Sequence, residues 1–259
     1  MNNKSNLNQL KAGDSDYKAY VGPPEKYDLV SAMQFNLLTF MGLRDDHKFL
    51  DIGCGSLRAG KLLIPFLKVG NYYGIEPNNW LIEEGIKNEI GNDLIKIKSP
   101  HFINSSTFEM QQFGEKFDFL NAQSIFSHTS LEQIRKCLEE AKKVLKSDGI
   151  FTATFVLGEN DYEGSEWVYP GCVTFKHETI LKLVKEQNLN AIKINWLHPN
   201  NQTYYVIFHK ANEKDVLRLV RNLFYKYQKP KIQLVDRLKK YRLFNNSISK
   251  FIYNFFKIH

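Results

Sequence analysis

Cysteine is scarce in this chain and scattered: Cys54, Cys137 and Cys172 are the only three in 259 residues. They form no C-x-x-C pair, so neither a zinc site nor a disulfide framework is suggested, and a reducing cytoplasm fits. Long hydrophobic runs are missing too. The opening MNNKSNLNQLKAGDSDY is polar throughout and has none of the apolar stretch that a secretory signal requires. The longest uncharged stretch near the start, Leu29 to Leu43, contains Ser31, Gln34, Asn36 and Thr39. It is shorter than the ~20 apolar residues of a bilayer span, so no transmembrane helix is expected. Most of the length also lacks excess charge. The net charge is +7, but residues 211 to 259 hold 12 basic and 3 acidic residues, which leaves the rest at −2. A body whose whole surface binds nucleic acid is thereby disfavoured, and any electrostatic partner belongs to the tail.

What remains is enough for one sizeable core: 43% of residues are hydrophobic and 14% aromatic. Residues 1–19 carry no hydrophobic period and read as a flexible leader, 20–210 as the folded domain, and 211–259 as a basic tail. After the Gly22-Pro23-Pro24 turn, Leu29, Met33, Leu37 and Phe40 predict an amphipathic helix. Strand-like and helix-like segments then alternate. KFLDIGCG is a strand ending in glycines, and the helix in LRAGKLLIPFL is shortened or bent by Pro65. YYGIE is a second strand, followed by a helix from Asn79 to Glu89. A weak third strand falls at Ile95 to Ile103 and a clear fourth at Phe117 to Ala122. A helix from Leu131 to Lys146 is closed by Ser-Asp-Gly.

GIFTATFVL is apolar on both faces, as a buried parallel strand should be. After a helix at His177 to Gln187, AIKINWL and TYYVIFHK are separated only by His198-Pro199-Asn200-Asn201-Gln202. That joint is too short for a crossover helix, so the last two strands form an antiparallel hairpin. The expected fold is a Rossmann-like open α/β sheet of seven strands with a reversed edge. In the tail, Leu234, Leu238 and Tyr241, and then Ile248, Phe251, Ile252 and Phe255, follow amphipathic helical spacing between lysines and arginines. That composition suits an anionic membrane surface or an assembly complex, and equally a helix packed on the body or a dimer contact.

The chemistry concentrates in Asp51-Ile-Gly-Cys-Gly-Ser-Leu-Arg-Ala-Gly60, where the first strand meets the first helix, the place at which open α/β sheets hold nucleotides. A dinucleotide fingerprint would need glycine at position 58, and Arg58 stands there. Glu76 ends the second strand and is placed to accept hydrogen bonds from a ribose diol, so a ribose ligand without pyrophosphate is indicated. Arg58 is either a solvated helix residue or a clamp for a carboxylate or phosphate.

At this point the sequence resembles the class I S-adenosylmethionine-dependent methyltransferases, whose first motif is acidic-x-G-x-G and whose second strand ends in an acidic residue. The resemblance spans roughly Tyr20 to Lys210. YVGPPEKYDLVSAMQF, LDIGCGSLRAGKLLIPFL, GIEPNNWLIEEGI and NAQSIFSHTSLEQI resemble a bacterial branch linked to surface-polysaccharide and small-metabolite modification. The resemblance implies that Asp51, Gly53 and Gly55 line the methionine part of S-adenosylmethionine, and that Glu76 holds its ribose; Cys54 and Arg58, in the same turn, are counted as further cofactor-binding candidates. It places Asn104, Ser105 and Ser106 beside the adenine, where the usual acidic residue is missing, and Gln123 and Ser124 beneath the sulfonium.

Methyl transfer to an alcohol benefits from a base. His128, in SIFSHTS, is one candidate and a helix-capping histidine the alternative. His198, in WLHPNNQ, is a rival base or simple turn chemistry. Glu166, Trp167 and Tyr169 form either a substrate wall or a packed loop. No Asn/Asp-Pro-Pro-Tyr/Phe motif or Pro-Cys pair is present, which disfavours nucleobase acceptors. The expected activity is methylation of a small polar acceptor, such as a sugar hydroxyl or phosphorylated metabolite, with no metal. An RNA methyltransferase tethered by its tail and a non-catalytic scaffold are the competing readings.

Overall fold

The computed structural model describes residues 9–223, and every structural statement below concerns these. Seven strands form one sheet in the order β3-β2-β1-β4-β5-β7-β6: β1 Phe49–Ile52, β2 Tyr72–Ile75, β3 His101–Ile103, β4 Phe117–Ala122, β5 Leu145–Phe155, β6 Leu189–Ile194 and β7 Thr203–His209. The first five are parallel. Phe49 pairs with Tyr72 on one side of β1 and Phe119 on the other. β7 runs antiparallel between β5 and β6, with Phe155 opposite Thr203 and Ile194 opposite Tyr204. All four residues of β1 and of β2 are buried, as strands covered on both faces must be. The chain leaves β1 toward β2 and β3, then returns to place β4 on the other side. That reversal opens a crevice at the carboxyl ends of the strands.

The helices are α1 Tyr27–Phe40, α2 Gly60–Phe66, α3 Asn79–Gly85, α4 Asn92–Lys98, α5 Leu131–Val144, α6 His177–Glu186 and α7 Glu213–Leu223. α1 exists as expected but presents a different face. Tyr27, Val30, Ser31, Gln34, Leu37 and Leu38 are buried, whereas Leu29 is 58% exposed. Two polar side chains belong to its core stripe, which a purely apolar count overlooks. α3 continues as a π-turn over Ile86–Ile90. The weak third strand was placed too early: Ile95 to Lys98 complete α4, and β3 is only three residues long.

α5 starts with a capping box. Ser130 Oγ accepts from the Gln133 N–H at 3.3 Å, and Gln133 Oε1 accepts from the Ser130 N–H at 2.9 Å. Ser-Asp-Gly does not end this helix. β5 already begins at Leu145, pairs with Phe117, and shifts register before Ile150 meets Phe119. The main core gathers residues such as Leu50, Leu120, Phe126, Leu138, Phe151 and Tyr205 around the sheet.

The expected flexible leader is, over residues 11–19, folded onto the domain. The Gly13 N–H donates to the Ala19 carbonyl at 2.9 Å, and Ala19 is fully buried. Glu89, its side chain only 9% exposed, receives the Tyr17 hydroxyl at 2.8 Å, Lys18 at 2.9 Å and Lys61 at 3.0 Å. These contacts turn residues 11–23 into a strap. The chain divides at Glu213/Lys214, and of the second unit only Lys214–Leu223 is described, where Arg218 pairs with Asp215 at 3.0 Å. The expected tail helices containing Leu234, Leu238, Tyr241, Ile248, Phe251, Ile252 and Phe255 lie outside the described residues. Among the described residues no helix is long and apolar enough to cross a membrane, and no cluster of three metal-ligating side chains occurs.

Candidate active site

A cavity of about 580 Å³ lies in the crevice, within the ~300–1,000 Å³ typical of small-molecule sites. One wall is bare backbone. Gly53 and Gly55 adopt left-handed φ values of +70° and +54° after β1. A Cβ on Gly53 would fall 2.1 Å from Ile125 Cδ1, so the turn closes here only with glycine. Glu76, at the end of β2, is buried on the same wall. Its Oε2 accepts from the Gly55 N–H at 3.0 Å, and its Oε1 accepts from the Asn78 N–H at 3.0 Å and from Asn78 Nδ2 at 2.9 Å. Burial raises its pKa, and these hydrogen bonds oppose the shift. Leu81, Phe108 and Ile125 supply apolar surface, while Ser105 and Ser106 follow β3 on the same flank. Ser105 Oγ donates to Glu109 Oε2 at 2.9 Å.

The floor is a hydrogen-bonded platform at the end of β4. Ser124 takes a left-handed φ of +58°, held by its N–H donating to Thr154 Oγ1 at 2.8 Å. The Gln123 amide is bracketed by His198 Nε2 at 2.6 Å and the Tyr204 hydroxyl at 2.6 Å. Gln202 Oε1 accepts from Thr154 Oγ1 at 2.6 Å and from Ser124 Oγ at 3.2 Å. The β6–β7 hairpin is thereby tied to the floor.

The two candidate bases occupy different environments. His128 lines the cavity, and its Nδ1 lies 2.6 Å from the Gly171 carbonyl and 3.1 Å from that of Val168. Carbonyls only accept, so Nδ1 carries the proton and Nε2 keeps a lone pair with no protein partner among the described residues. Burial lowers its pKa. His198 is not on the cavity wall. It is buried beneath Gln123, its Nδ1 accepting from the Asn200 N–H at 3.1 Å, and its pKa is pushed down to about 3 by burial and by the Arg58 and Lys26 charges. Both of its nitrogens are engaged.

The cavity thus brings together Gly53, Gly55, Arg58, Glu76, Ser105, Gln123, Ser124, His128, Trp167 and Tyr169. It does not include Asp51, Cys54, Glu166 or His198. Asp51 lies behind the glycine turn, where Tyr72 donates to its Oδ2 at 2.9 Å and Asn121 to its Oδ1 at 3.2 Å. Burial raises its pKa to about 6. Cys54 is buried against β2: a Cβ on Gly74 would sit 2.9 Å from its Sγ. Its buried thiol has a pKa well above the usual value. Glu166 is exposed and contributes its carbonyl to Tyr162 at 3.3 Å. Trp167 and Tyr169 line the cavity, their rings 5.7 and 4.9 Å from that of His128.

Sequence reasoning missed the roof. Tyr20, Val21, Gly22 and Pro23 of the strap line the cavity, as do Asn78, Gln133, Asn200 and Gln202. The Tyr20 ring packs 5.2 Å from Trp80 and 5.7 Å from Tyr169, whose hydroxyl donates to the Tyr20 carbonyl. The Gly-Pro-Pro turn was the available signal, since such a turn fixes where the strap bends.

Residues 50–151 match a family model described as a methyltransferase domain. The magnesium protoporphyrin IX methyltransferase of Synechocystis PCC 6803, solved with bound SAH, is 14% identical over 72% of this chain and 87% of its own, with a TM-score of 0.54. An S-adenosylmethionine-dependent methyltransferase of Clostridium acetobutylicum ATCC 824 is 16% identical over 76% and 93%, with a TM-score of 0.51. Mitomycin 7-O-methyltransferase is 13% identical over 75% and 58%, with a TM-score of 0.56. At these identities the likeness is one of fold. No curated protein matches the chain's sequence. The sheet order is that of a methyltransferase fold, the matched segment runs from β1 into β5, and S-adenosylmethionine is the cofactor these likenesses point to. The site suits that cofactor: backbone with no side chain at Gly53 and Gly55, a carboxylate at Glu76 for a diol, apolar surface for a purine, and an amide floor.

Proposed function

We propose that this chain methylates a hydroxyl of a small polar acceptor, a sugar or phosphorylated metabolite of the kind used in surface-polysaccharide synthesis. The observation that carries this reading is His128, whose Nδ1–H is held by backbone carbonyls while its unprotonated Nε2 is left for the cavity. When bound, S-adenosylmethionine supplies an electrophilic methyl on a sulfonium. Glu76 accepts from the ribose hydroxyls, with Gly53 and Gly55 allowing close backbone approach. Gln123, clamped from both sides, holds the floor fixed, so little reorganisation is needed as charge moves. His128 Nε2 takes the acceptor's hydroxyl proton as its oxygen is alkylated. The strap and the Trp167–Tyr169 wall limit water and restrict the acceptor to small molecules. Two of the similar solved proteins are named for methylating small molecules, a porphyrin and mitomycin, which supports the size class.

The test is incubation of the purified chain with methyl-labelled S-adenosylmethionine and separate pools of nucleotide sugars, phosphorylated sugars and RNA. Label in a sugar pool is the expected result. Label confined to RNA would overturn the acceptor class.

A further inference from the structure

One charge in the cavity has no counter-charge. Arg58 follows the glycine turn and lines the cavity, and its Nη1 donates to the Val21 carbonyl at 2.7 Å. No carboxylate among the described residues forms an ion pair with it. The charge of Asp51 acts on it, but both oxygens of Asp51 are turned to Tyr72 and Asn121. A half-buried guanidinium with one neutral acceptor is only partly compensated, and burial lowers its pKa. A cavity that keeps such a group suits an anion.

The position of the charge says which anion. Glu76 marks the ribose flank, at the end of β2, with Ser105 and Ser106 beyond. Arg58 Nη1 donates to the Val21 carbonyl, and the Tyr169 hydroxyl donates to the adjoining Tyr20 carbonyl, so the guanidinium sits on the strap next to Tyr169. Tyr169 belongs to the wall that carries His128, their rings 4.9 Å apart. An anion on Arg58 therefore lies along the wall that also presents the proton acceptor.

Resting on the reading above, we propose that Arg58 holds a carboxylate or phosphate of the methyl acceptor, so that the enzyme selects anionic acceptors and anchors them beside His128. The planar fork of the guanidinium pairs with either group through two parallel hydrogen bonds.

The amino-acid end of the cofactor also carries a carboxylate, so the experiment separates the two sources. Calorimetry on the full chain and on Arg58→Gln is run with S-adenosylhomocysteine and with 5′-methylthioadenosine, which lacks the amino-acid end. Both proteins, loaded with S-adenosylhomocysteine, are then titrated with inorganic phosphate and with benzoate. The expected result is nucleoside binding unchanged within about twofold, and phosphate or benzoate uptake that falls at least tenfold in Arg58→Gln. A tenfold loss of S-adenosylhomocysteine binding with 5′-methylthioadenosine unaffected would assign Arg58 to the cofactor and overturn the proposal. Loaded wild-type protein that takes up neither anion would overturn it too, while leaving the methyltransferase reading intact. Failure of the wild type to bind S-adenosylhomocysteine would end that reading and this one together. If circular dichroism shows Arg58→Gln unfolded, Arg58→Lys carries the test. Loss of the fork should then weaken anion uptake at least threefold with nucleoside binding unchanged, and no loss refutes the proposal.

Discussion

The Tyr72 hydroxyl donates to Asp51 Oδ2 at 2.9 Å, joining β2 to β1 behind the glycine turn rather than within the cavity. Asn121 of β4 completes the set from the opposite side and passes it on, donating to Gln34 Oε1 of α1 at 3.1 Å and accepting from Thr152 Oγ1 at 2.9 Å. A carboxylate so placed sets the spacing of three strands and one helix.

This burial has a pH signature. Asp51 is raised from 3.8 to about 6, so its contribution to stability is present below pH 3.8 and is lost as pH rises through about 6. The loss amounts to about 3 kcal/mol at ~1.4 kcal/mol per unit. His198, lowered from 6.5 to about 3, acts with the opposite sign: its contribution is present above 6.5 and lost as pH falls toward 3. The two slopes oppose one another between about pH 4 and 6. Thermal melts of Asp51→Asn should therefore show stability that rises more steeply with pH across this window than in wild type, and His198→Gln the reverse. Parallel curves for all three proteins would contradict both assignments.

Gly85 should resist substitution. A Cβ there would meet the Ser56 carbonyl oxygen at 2.4 Å and its carbon at 2.6 Å, both backbone, where α3 presses on the loop after β1. Gly85→Ala should cost about 1–3 kcal/mol, roughly 2–4 °C of Tm per kcal/mol in a domain of this size. It should also weaken S-adenosylhomocysteine binding, because that loop leads from Gly55 to Arg58. A melt identical to wild type would show that α3 can back away.

The fold class was legible because its signals are local. The alternation through β1, β2, β4 and β5 and the short joint before Thr203 are carried by neighbouring residues, as are Glu76 at a strand end and the glycines at 53 and 55. The surroundings of Asp51, Cys54 and His198 were not legible, because a sequence gives a side chain's position along a strand or turn but not which neighbour it turns toward. Tyr72 claims Asp51, and Gln123 claims His198. The strap was unreadable for a related reason: residues 11–19 have no hydrophobic period, and what holds them is Glu89, some seventy residues away.

Glu89 accordingly governs the roof. Glu89→Gln removes the charge facing Lys18 and Lys61, and hydrogen bonds to charged groups are worth about 1.5–3 kcal/mol each. Amide exchange across residues 11–20 should accelerate at least tenfold while β4 and β5 remain protected. Unchanged exchange in the strap would assign its order to other contacts.

His128 should control the chemical step but not binding. With the acceptor returned by the labelling assay, His128→Gln should lower kcat by about 10²–10⁴ with S-adenosylhomocysteine affinity preserved. Because its pKa is held below 6.5 by burial, the wild-type rate should climb on the acid side and be level by neutral pH. A rate still climbing above pH 8 would point to a different base.

The reversed strand decides which parts of the chain reach the reaction. With β7 antiparallel, its first residue rather than its last meets the rim, and the turn between β6 and β7 arrives beside β4 and β5. In an all-parallel order that connection would emerge at the far edge of the sheet, and Asn200 and Gln202 would be strangers to the ligand. Within that turn His198 and Gln202 stay committed to the floor, so Asn200 is the position that can change its lettering without disturbing a rung of the ladder. On the proposed function, variants at Asn200 are the ones that would retune the cavity while the glycine turn and Glu76 stay as they are.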